Sequence, residues 1–444
     1  MAVVSRSLVL AVVVLVAGCG NLSLRRDPLA EAREVLWTTL KERFFCEKTE
    51  MLYDVLWRAD DGTVSATACL PTPEEAARQY PNPCSWGTGL QDCVFNGAPF
   101  LSAAVKRGDL AMAKAAYRGI RRCAMASGVR GFVARGVSPA DGRSFYIDSS
   151  RDTWTLFVYH LRAYSREACC DAATRGEIRD LLAGVADYAE RSVTATNDYS
   201  LLRADGKPGL VSRMWLPLQT HETLRLPMIY AAAFDLTGDR HWREMKLRYL
   251  DRALDGAEGP IGDDIRGSIL NQMQLSVRIL WETEDAPVRK ARLLRLLHRL
   301  ADLAAGPLTA RLEKAFGTAE WKLAGPMEDW RHFPWRKRWS CDSAVFHGYR
   351  YDVPDTAVAT VEDSYVESAY AVLVQALAPG RPVDPRTLGL FRRAIGATDL
   401  SSVACANAVN ALLAMEVVGD VSSLHAVRRN DEGPDRARSG VIGQ

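Results

Sequence analysis

Two kinds of helical segment alternate along this 444-residue chain. One kind is apolar nearly all round: residues 94–105, 153–164, 224–236, 364–378 and 403–415, with 269–281 a more polar member. A helix without a wide polar face has to be buried on most sides. The other kind is plainly amphipathic, as in 110–126, 177–192, 242–254 and 288–303. In the last of these, Leu293, Leu294, Leu296, Leu297 and Leu300 mark the apolar face, and Arg289, Arg292, Arg295 and Arg299 mark the wet one. Such helices cover a core from outside. Inner and outer segments in alternation build helical hairpins, and the links Gly108-Asp109 and Gly238-Asp239 are short enough to join them. Six inner segments are present, and residues 27–45 can serve as outer partner of the last. The expected fold is therefore all-α, a six-hairpin α/α toroid. An open solenoid of helix pairs is the competing architecture, but solenoids usually carry a fixed repeat period. The uneven spacing of these segments favours the closed ring.

β-type alternation is scarce. The exception is the connection 127–147, where Gly131 to Gly136 is followed by Asp141-Gly142, a good hairpin turn. A small β-hairpin is predicted there, and the connection 194–215 is similar in kind. The longest connection, 306–360, is rich in Trp, Arg, Pro and Tyr. Loops of such length are uncommon unless they are functional. Residues 427–444 read as a flexible tail. At about 150 residues per domain, length alone would suggest two or three domains. The helical pattern instead assigns residues 29–426 to one toroid.

At the N-terminus, Arg6 precedes an apolar run from Leu8 to Ala17, too short to span a bilayer core of roughly 30 Å. The run ends in Val16-Ala17-Gly18-Cys19. This resembles the bacterial lipoprotein signal, which implies removal of residues 1–18, lipidation of Cys19 and a tether over 19–28. Gly20, not Asp, follows the Cys. The resemblance thus implies a location in the bacterial cell envelope, lipid-anchored at the outer membrane and facing the periplasm. No later segment has 18 uninterrupted apolar residues.

Of the ten cysteines, Cys19 is the expected anchor, which leaves an odd number in an oxidising compartment. No Cys-x-x-Cys pair occurs, so no zinc or other metal site is expected. Cys69, Cys84 and Cys93 lie around a loop and are expected to include a disulfide. Cys123 and Cys405 fall in apolar helical patterns and read as small core residues. With 56 basic against 54 acidic residues, the net charge of +2 argues against a nucleic-acid binder. No P-loop, dinucleotide fingerprint or nucleophile elbow is present, so no cofactor is expected.

Residues 86–109 begin Trp-Gly-Thr-Gly-Leu-Gln-Asp, continue to Ala98-Pro99-Phe100-Leu101 and end in Gly108-Asp109. The segment resembles the inner-helix motif of unsaturated glucuronyl and rhamnogalacturonyl hydrolases, which are six-hairpin glycosidases. Asp92 matches the position of their catalytic Asp. The stretch from Asp141 to Trp154 and the run Val366-Glu367-Ser368-Ala369-Tyr370 are similar to bacterial six-hairpin proteins that act on uronic-acid glycans. β-Glucuronidases on the same fold are a neighbouring possibility. The match departs from the hydrolase pattern in lacking a clear second Asp in the preceding hairpin.

Glycosidic chemistry commonly needs two carboxylates, one protonated and one ionised. In a toroid, the starts of successive inner helices surround one mouth. Asp92 is therefore the first catalytic candidate, with Asp148 or Asp152 as partner across a pocket. An acid at a helix start also serves as a cap, worth about 0.5–2 kcal/mol. His160 lies deeper in its helix and reads as a core histidine. Candidate substrate-binding residues are Trp86, Asn96, Arg135, Arg151, Trp154, Arg213, Trp215, His221 and Glu367. The run from Arg331 to Trp339 adds Trp335, Arg338 and Trp339, because Trp faces stack on sugar rings and Arg forks grip carboxylates. Tyr349 can line the same cleft. The resemblance implies a glycosidase-like enzyme acting on an anionic oligosaccharide. The alternative is a non-catalytic glycan-binding or structural lipoprotein on the same fold.

Overall fold

The computed structural model describes residues 28–318, 325–332 and 362–419. The helices are α1 (Pro28–Arg43), α2 (Pro73–Ala77), α3 (Cys93–Arg107), α4 (Leu110–Met125), α5 (Arg151–Arg166) and α6 (Ala172–Ser192). They continue as α7 (Arg225–Thr237), α8 (Arg240–Ala257), α9 (Gly267–Glu282), α10 (Pro287–Leu303), α11 (Thr309–Thr318), α12 (Glu362–Ala376) and α13 (Pro385–Gly396). A last helix, α14, covers 409–419. The chain is mostly helical. None of the described helices is long and apolar enough to cross a membrane.

The two helix types separate as their sequences require. Eleven of the sixteen residues of α5 are buried, against five of seventeen in α10, so α5 is an inner helix and α10 an outer one. Inner helices pack on one another: α3 on α5, α5 on α7 and α9, α7 on α9, and α9 on α12. Each carries an outer partner, in the pairs α3–α4, α5–α6, α7–α8, α9–α10 and α12–α13. The Gly-Asp links work by division of labour. Gly108 (φ 77°) ends α3 in the left-handed region that favours glycine, and the Asp109 side chain then accepts from Met112 N to start α4. Gly238 and Asp239 repeat this between α7 and α8. The two ends of the helical array meet. Arg33 of α1 and Arg107 of α3 both pair with Glu416 of α14, at 3.4 and 3.1 Å.

Strands are short and lie in the connections. β1 (Phe45–Cys46) pairs antiparallel with β2 (Met51–Leu52), and β3 (Trp57–Arg58) lies between β4 (Val64–Ser65) and β7 (Met327–Glu328). β5 (Ser200–Leu202) and β6 (Pro208–Arg213) form the hairpin expected within 194–215. The hairpin predicted for 127–147 does not form. Its turn is present, with Gly142 N donating to Ser138 O at 2.8 Å, but the flanking residues make no strand ladder. They run against the start of α3 instead.

Three further expectations are corrected. Helix 403–415 begins later, at 409, because residues 404–406 pair with the extended segment 54–56. Cys405 therefore sits in a β-bridge opposite Val55, not in a core helix. Cys69, Cys84 and Cys93 are free thiols, so the disulfide expected among them is not made. Each of those three thiols donates elsewhere, to Arg58 O, Asp148 Oδ2 and Gly89 O respectively. Cys19, Cys341, Trp335, Arg338, Trp339, Tyr349 and the tail 427–444 lie outside the described residues.

Candidate functional site

The N-terminal ends of α3, α9 and α12 and the segment before α14 surround a cavity of about 600 Å³. Its wall includes Asp54, Asp92, Asn96, Arg266, Glu367 and Tyr370.

Asp92 occupies the N-cap position of α3 but does not cap it. Its backbone (φ −128°, ψ 23°) leaves the side chain without a cap hydrogen bond. The open N–H of Val94 is instead taken by the Arg135 carbonyl, at 3.0 Å. The Asp92 carboxyl is thereby released from the helix and faces the cavity. Arg135 also holds it from below. Its Nε donates to Gln91 O at 2.7 Å, its Nη1 to Cys84 O at 3.2 Å, and its Nη2 lies 3.4 Å from Asp92 Oδ1. This arrangement needs Gly136, where a Cβ would come within 2.7 Å of Cys93 Sγ and Leu90 O. Only a residue without a side chain lets the 127–147 connection pass this close to α3.

Asp54 supplies the second carboxyl. Its backbone is zipped in place: Asp54 O accepts from Ala406 N at 2.7 Å, and Leu56 N donates to Ala404 O at 2.8 Å. The side chain is buried and accepts from Asn96 Nδ2 at 3.1 Å. Asn96 is one turn into α3 from Asp92, so one helix start arranges both carboxyls. Burial, then the neighbouring Asp92 charge, push the Asp54 carboxyl well above its usual range, against the pull of Gln91, Asn96 and Arg135. Asp92 is raised as well, by burial and by Asp152, with Arg135 opposing. Burial favours the neutral form of Asp152 too, but Arg225, Arg151 and Arg135 outweigh it and hold that carboxyl low. Neutral and ionised carboxyls therefore stand within each other's field.

Around this centre, Asp152 pairs with Arg225, and Arg151 pairs with Glu222. His221 Nε2 lies 3.7 Å from Glu222 Oε1, and burial lowers its imidazole below the usual range. Glu367 Oε2 accepts from Gly267 N at 2.5 Å and so tethers α12 to the start of α9. Arg266, beside it, carries no ion pair among the described residues.

Other candidates are placed elsewhere. Asp148 is buried and fully engaged by Ser149 N, Leu210 N and Cys84 Sγ, away from the cavity wall. Trp154 is wholly buried, its ring against Tyr188 and its Nε1 on Ser149 Oγ. Trp215 packs edge-on to Tyr249, Arg213 pairs with Asp198, and the Trp86 backbone is tied to Asn82 at both ends. In the run from Arg331, only the beginning is described. Arg331 pairs with Glu75 and Asp329, and Trp330 is buried against Trp57.

Asp54 was not picked out by sequence motif. The available signal was a lone acid inside the apolar run Met51 to Trp57, where burial demands a partner. Among the described residues, no group of three or more His, Cys, Asp or Glu is placed to hold a metal ion. Comparison with known protein families finds no match for this chain, and comparison with curated proteins finds none either.

Proposed function

We propose that the chain is a lipid-anchored enzyme of the bacterial cell envelope, built as a six-hairpin α/α toroid and acting on uronic-acid-containing oligosaccharides. The observation that carries this reading is the carboxyl pair in the wall of one cavity, Asp54 and Asp92 with raised affinity for protons, with Asp152 held ionised outside that wall and acting on Asp92 by its charge. Asp92, which reaches the cavity wall, is the proton donor. Asp54, almost wholly enclosed behind it, is pushed up by burial and then by the Asp92 charge, while the Asp152 charge raises Asp92 against the pull of Arg135. Asp152 is the charge that stabilises a cationic sugar centre as it develops. In vinyl-ether hydration of an unsaturated uronide, Asp92 protonates the double bond and water adds to the resulting cation. In hydrolysis of a saturated glucuronide, the same proton goes to the leaving oxygen.

Arg266 and Arg311 line the same cavity and supply positive charge for a substrate carboxylate. The ring architecture is supported by the inner-outer burial pattern and by the contacts of Glu416 with both Arg33 and Arg107. The resemblance of the segment around Asp92 to six-hairpin uronyl hydrolases points the same way.

The test is incubation of the chain with glucuronide and unsaturated uronide oligosaccharides, comparing wild type with Asp92→Asn. Loss of a positioned general acid lowers turnover about 100-fold or more. Equal turnover by the two proteins removes Asp92 from the chemistry. Binding of the oligosaccharides without turnover by wild type replaces the enzyme with a glycan-binding protein.

A further inference from the structure

A second cavity, of about 290 Å³, lies at the other end of the same inner helices. The helices that present Asp92, Ser268 and Tyr370 to the first cavity present Ser102, Asn271 and Leu373 to this one, three to ten residues further along. α5 and α14 complete the wall with His160 and Asn410. Most of the remaining surface is apolar, with Val105, Ala163, Leu275, Ala376, Leu413 and Val417.

Ser102, His160, Asn271 and Asn410 are the polar side chains of this wall that the inner helices and α14 supply, with the Tyr159 and Tyr164 rings beside them. His160, Asn271 and Asn410 are each more than nine-tenths buried. Ser102 Oγ and His160 Nδ1 lie 2.7 Å apart, which fixes the imidazole and turns Nε2 to its other side. Among the described residues, no protein group hydrogen-bonds to His160 Nε2 or to the Asn271 amide, and Asn271 Oδ1 is buried without a partner. Asn410 Nδ2 donates to Asn407 O at 2.9 Å, which leaves its carbonyl oxygen for the cavity. Buried polar groups without partners are rare, and each calls for a bound molecule to complete it. The charged side chains here, Lys106 and Glu167, are exposed at the rim and opposite in sign. Inside, the site is neutral.

We infer that this cavity is a binding site for a small neutral molecule with an apolar body and one hydroxyl, the hydroxyl lying between His160 Nε2 and the Asn271 amide. A hydroxyl both donates and accepts, so it suits either imidazole tautomer. An anion finds no buried cation here, and a cation finds no buried carboxylate. A wholly apolar molecule leaves the imidazole and both amides unanswered, although apolar walls of this size do take up benzene-sized guests. The site is independent of the chemistry proposed for the Asp92 cavity.

Phenol and benzene are the probes, a pair that differs by the hydroxyl alone. Each is titrated into the full chain, with the His160 imidazole resonances and calorimetry as readouts. Phenol is expected to shift the His160 signals. In His160→Phe and in Asn271→Leu, phenol affinity is expected to fall about fivefold while benzene affinity stays within twofold, the change expected for one hydrogen bond. Asn271→Leu keeps the number and branching of side-chain heavy atoms and removes an unanswered buried amide, so it provides a second variant if His160→Phe is unstable. Phenol affinity unchanged in Asn271→Leu, or no phenol binding to wild type, overturns the inference and makes the cavity a water pocket.

Discussion

Arg135 serves Asp92 twice: its carbonyl accepts the Val94 N–H at 3.0 Å, and its guanidinium lies 3.4 Å from Asp92 Oδ1. The first contact frees the carboxyl from helix capping, and the second lowers its affinity for protons. Arg135→Met keeps the carbonyl and deletes the charge. Asp92 is then expected to hold its proton to higher pH, because the positive charge opposing burial is gone. The limb of the pH–rate profile set by the general acid moves to alkaline pH. An unmoved profile separates Arg135 from the titration of Asp92. Stability falls by about 1–3 kcal/mol, since Gln91 O and Cys84 O lose their donor.

Gly136→Ala attacks the same relationship through the backbone. A Cβ at 2.7 Å from both Cys93 Sγ and Leu90 O forces the 127–147 connection away from α3. The expected loss is about 1–3 kcal/mol in denaturant unfolding, the usual scale for overpacking. Turnover falls with it, because Arg135 moves with its neighbour. Wild-type stability in this variant contradicts the close approach.

The helices were legible in the sequence because burial on one side or on all sides leaves a periodic trace. Gly108-Asp109 and Gly238-Asp239 marked links that the structure contains. Asp92 was legible as a helix start with motif support. Its partner was not, since Asp54 reaches the cavity through pairing of 54–56 with 404–406, a contact between residues about 350 apart that no local period encodes. The same pairing explains why apolar 403–405 is not helix: its backbone is engaged across the chain. Asp148 looked equivalent to Asp152 by spacing, but only neighbours from distant loops, Cys84 and Leu210, decide that Asp148 is sealed. The outer helix α13 was not picked out by its pattern, although Asp384 caps it and Pro385 opens it.

His160 sets a pH dependence of folding. Burial pushes its imidazole from 6.5 down to about 3, so the folded protein keeps it neutral where the unfolded chain protonates it. Stability on this account is fully present above 6.5 and is lost as pH falls from there toward about 3. The slope is at most about 1.4 kcal/mol per pH unit. In His160→Phe, urea unfolding is expected to flatten over this window. An unchanged slope relative to wild type locates the acid sensitivity elsewhere.

The proposed anchor is tested apart from the fold. Cys19→Ala removes the thiol proposed to carry the lipid, so label from a fatty acid is expected to vanish from the chain. The protein is then expected to leave the membrane fraction. Equal labelling of wild type and Cys19→Ala contradicts lipidation at this position.

Asp54 is expected to cost stability for the sake of the site. Its carboxyl is raised well above 3.8, first by burial and then by Asp92, so the folded protein binds this proton more tightly than the unfolded chain. Stability is therefore highest below 3.8 and declines as pH rises from there through the raised folded value. Asp54→Asn preserves the shape and the acceptor for Asn96 Nδ2 while deleting the titration. At neutral pH the variant is expected to be more stable than wild type by about 1–3 kcal/mol, the scale of relieving a poorly satisfied buried group. In acid below the unfolded value the gain disappears. Unfolding curves at the two pH values read both effects. A variant that is no more stable at neutral pH means that Asp54 is comfortable as an anion in the folded protein.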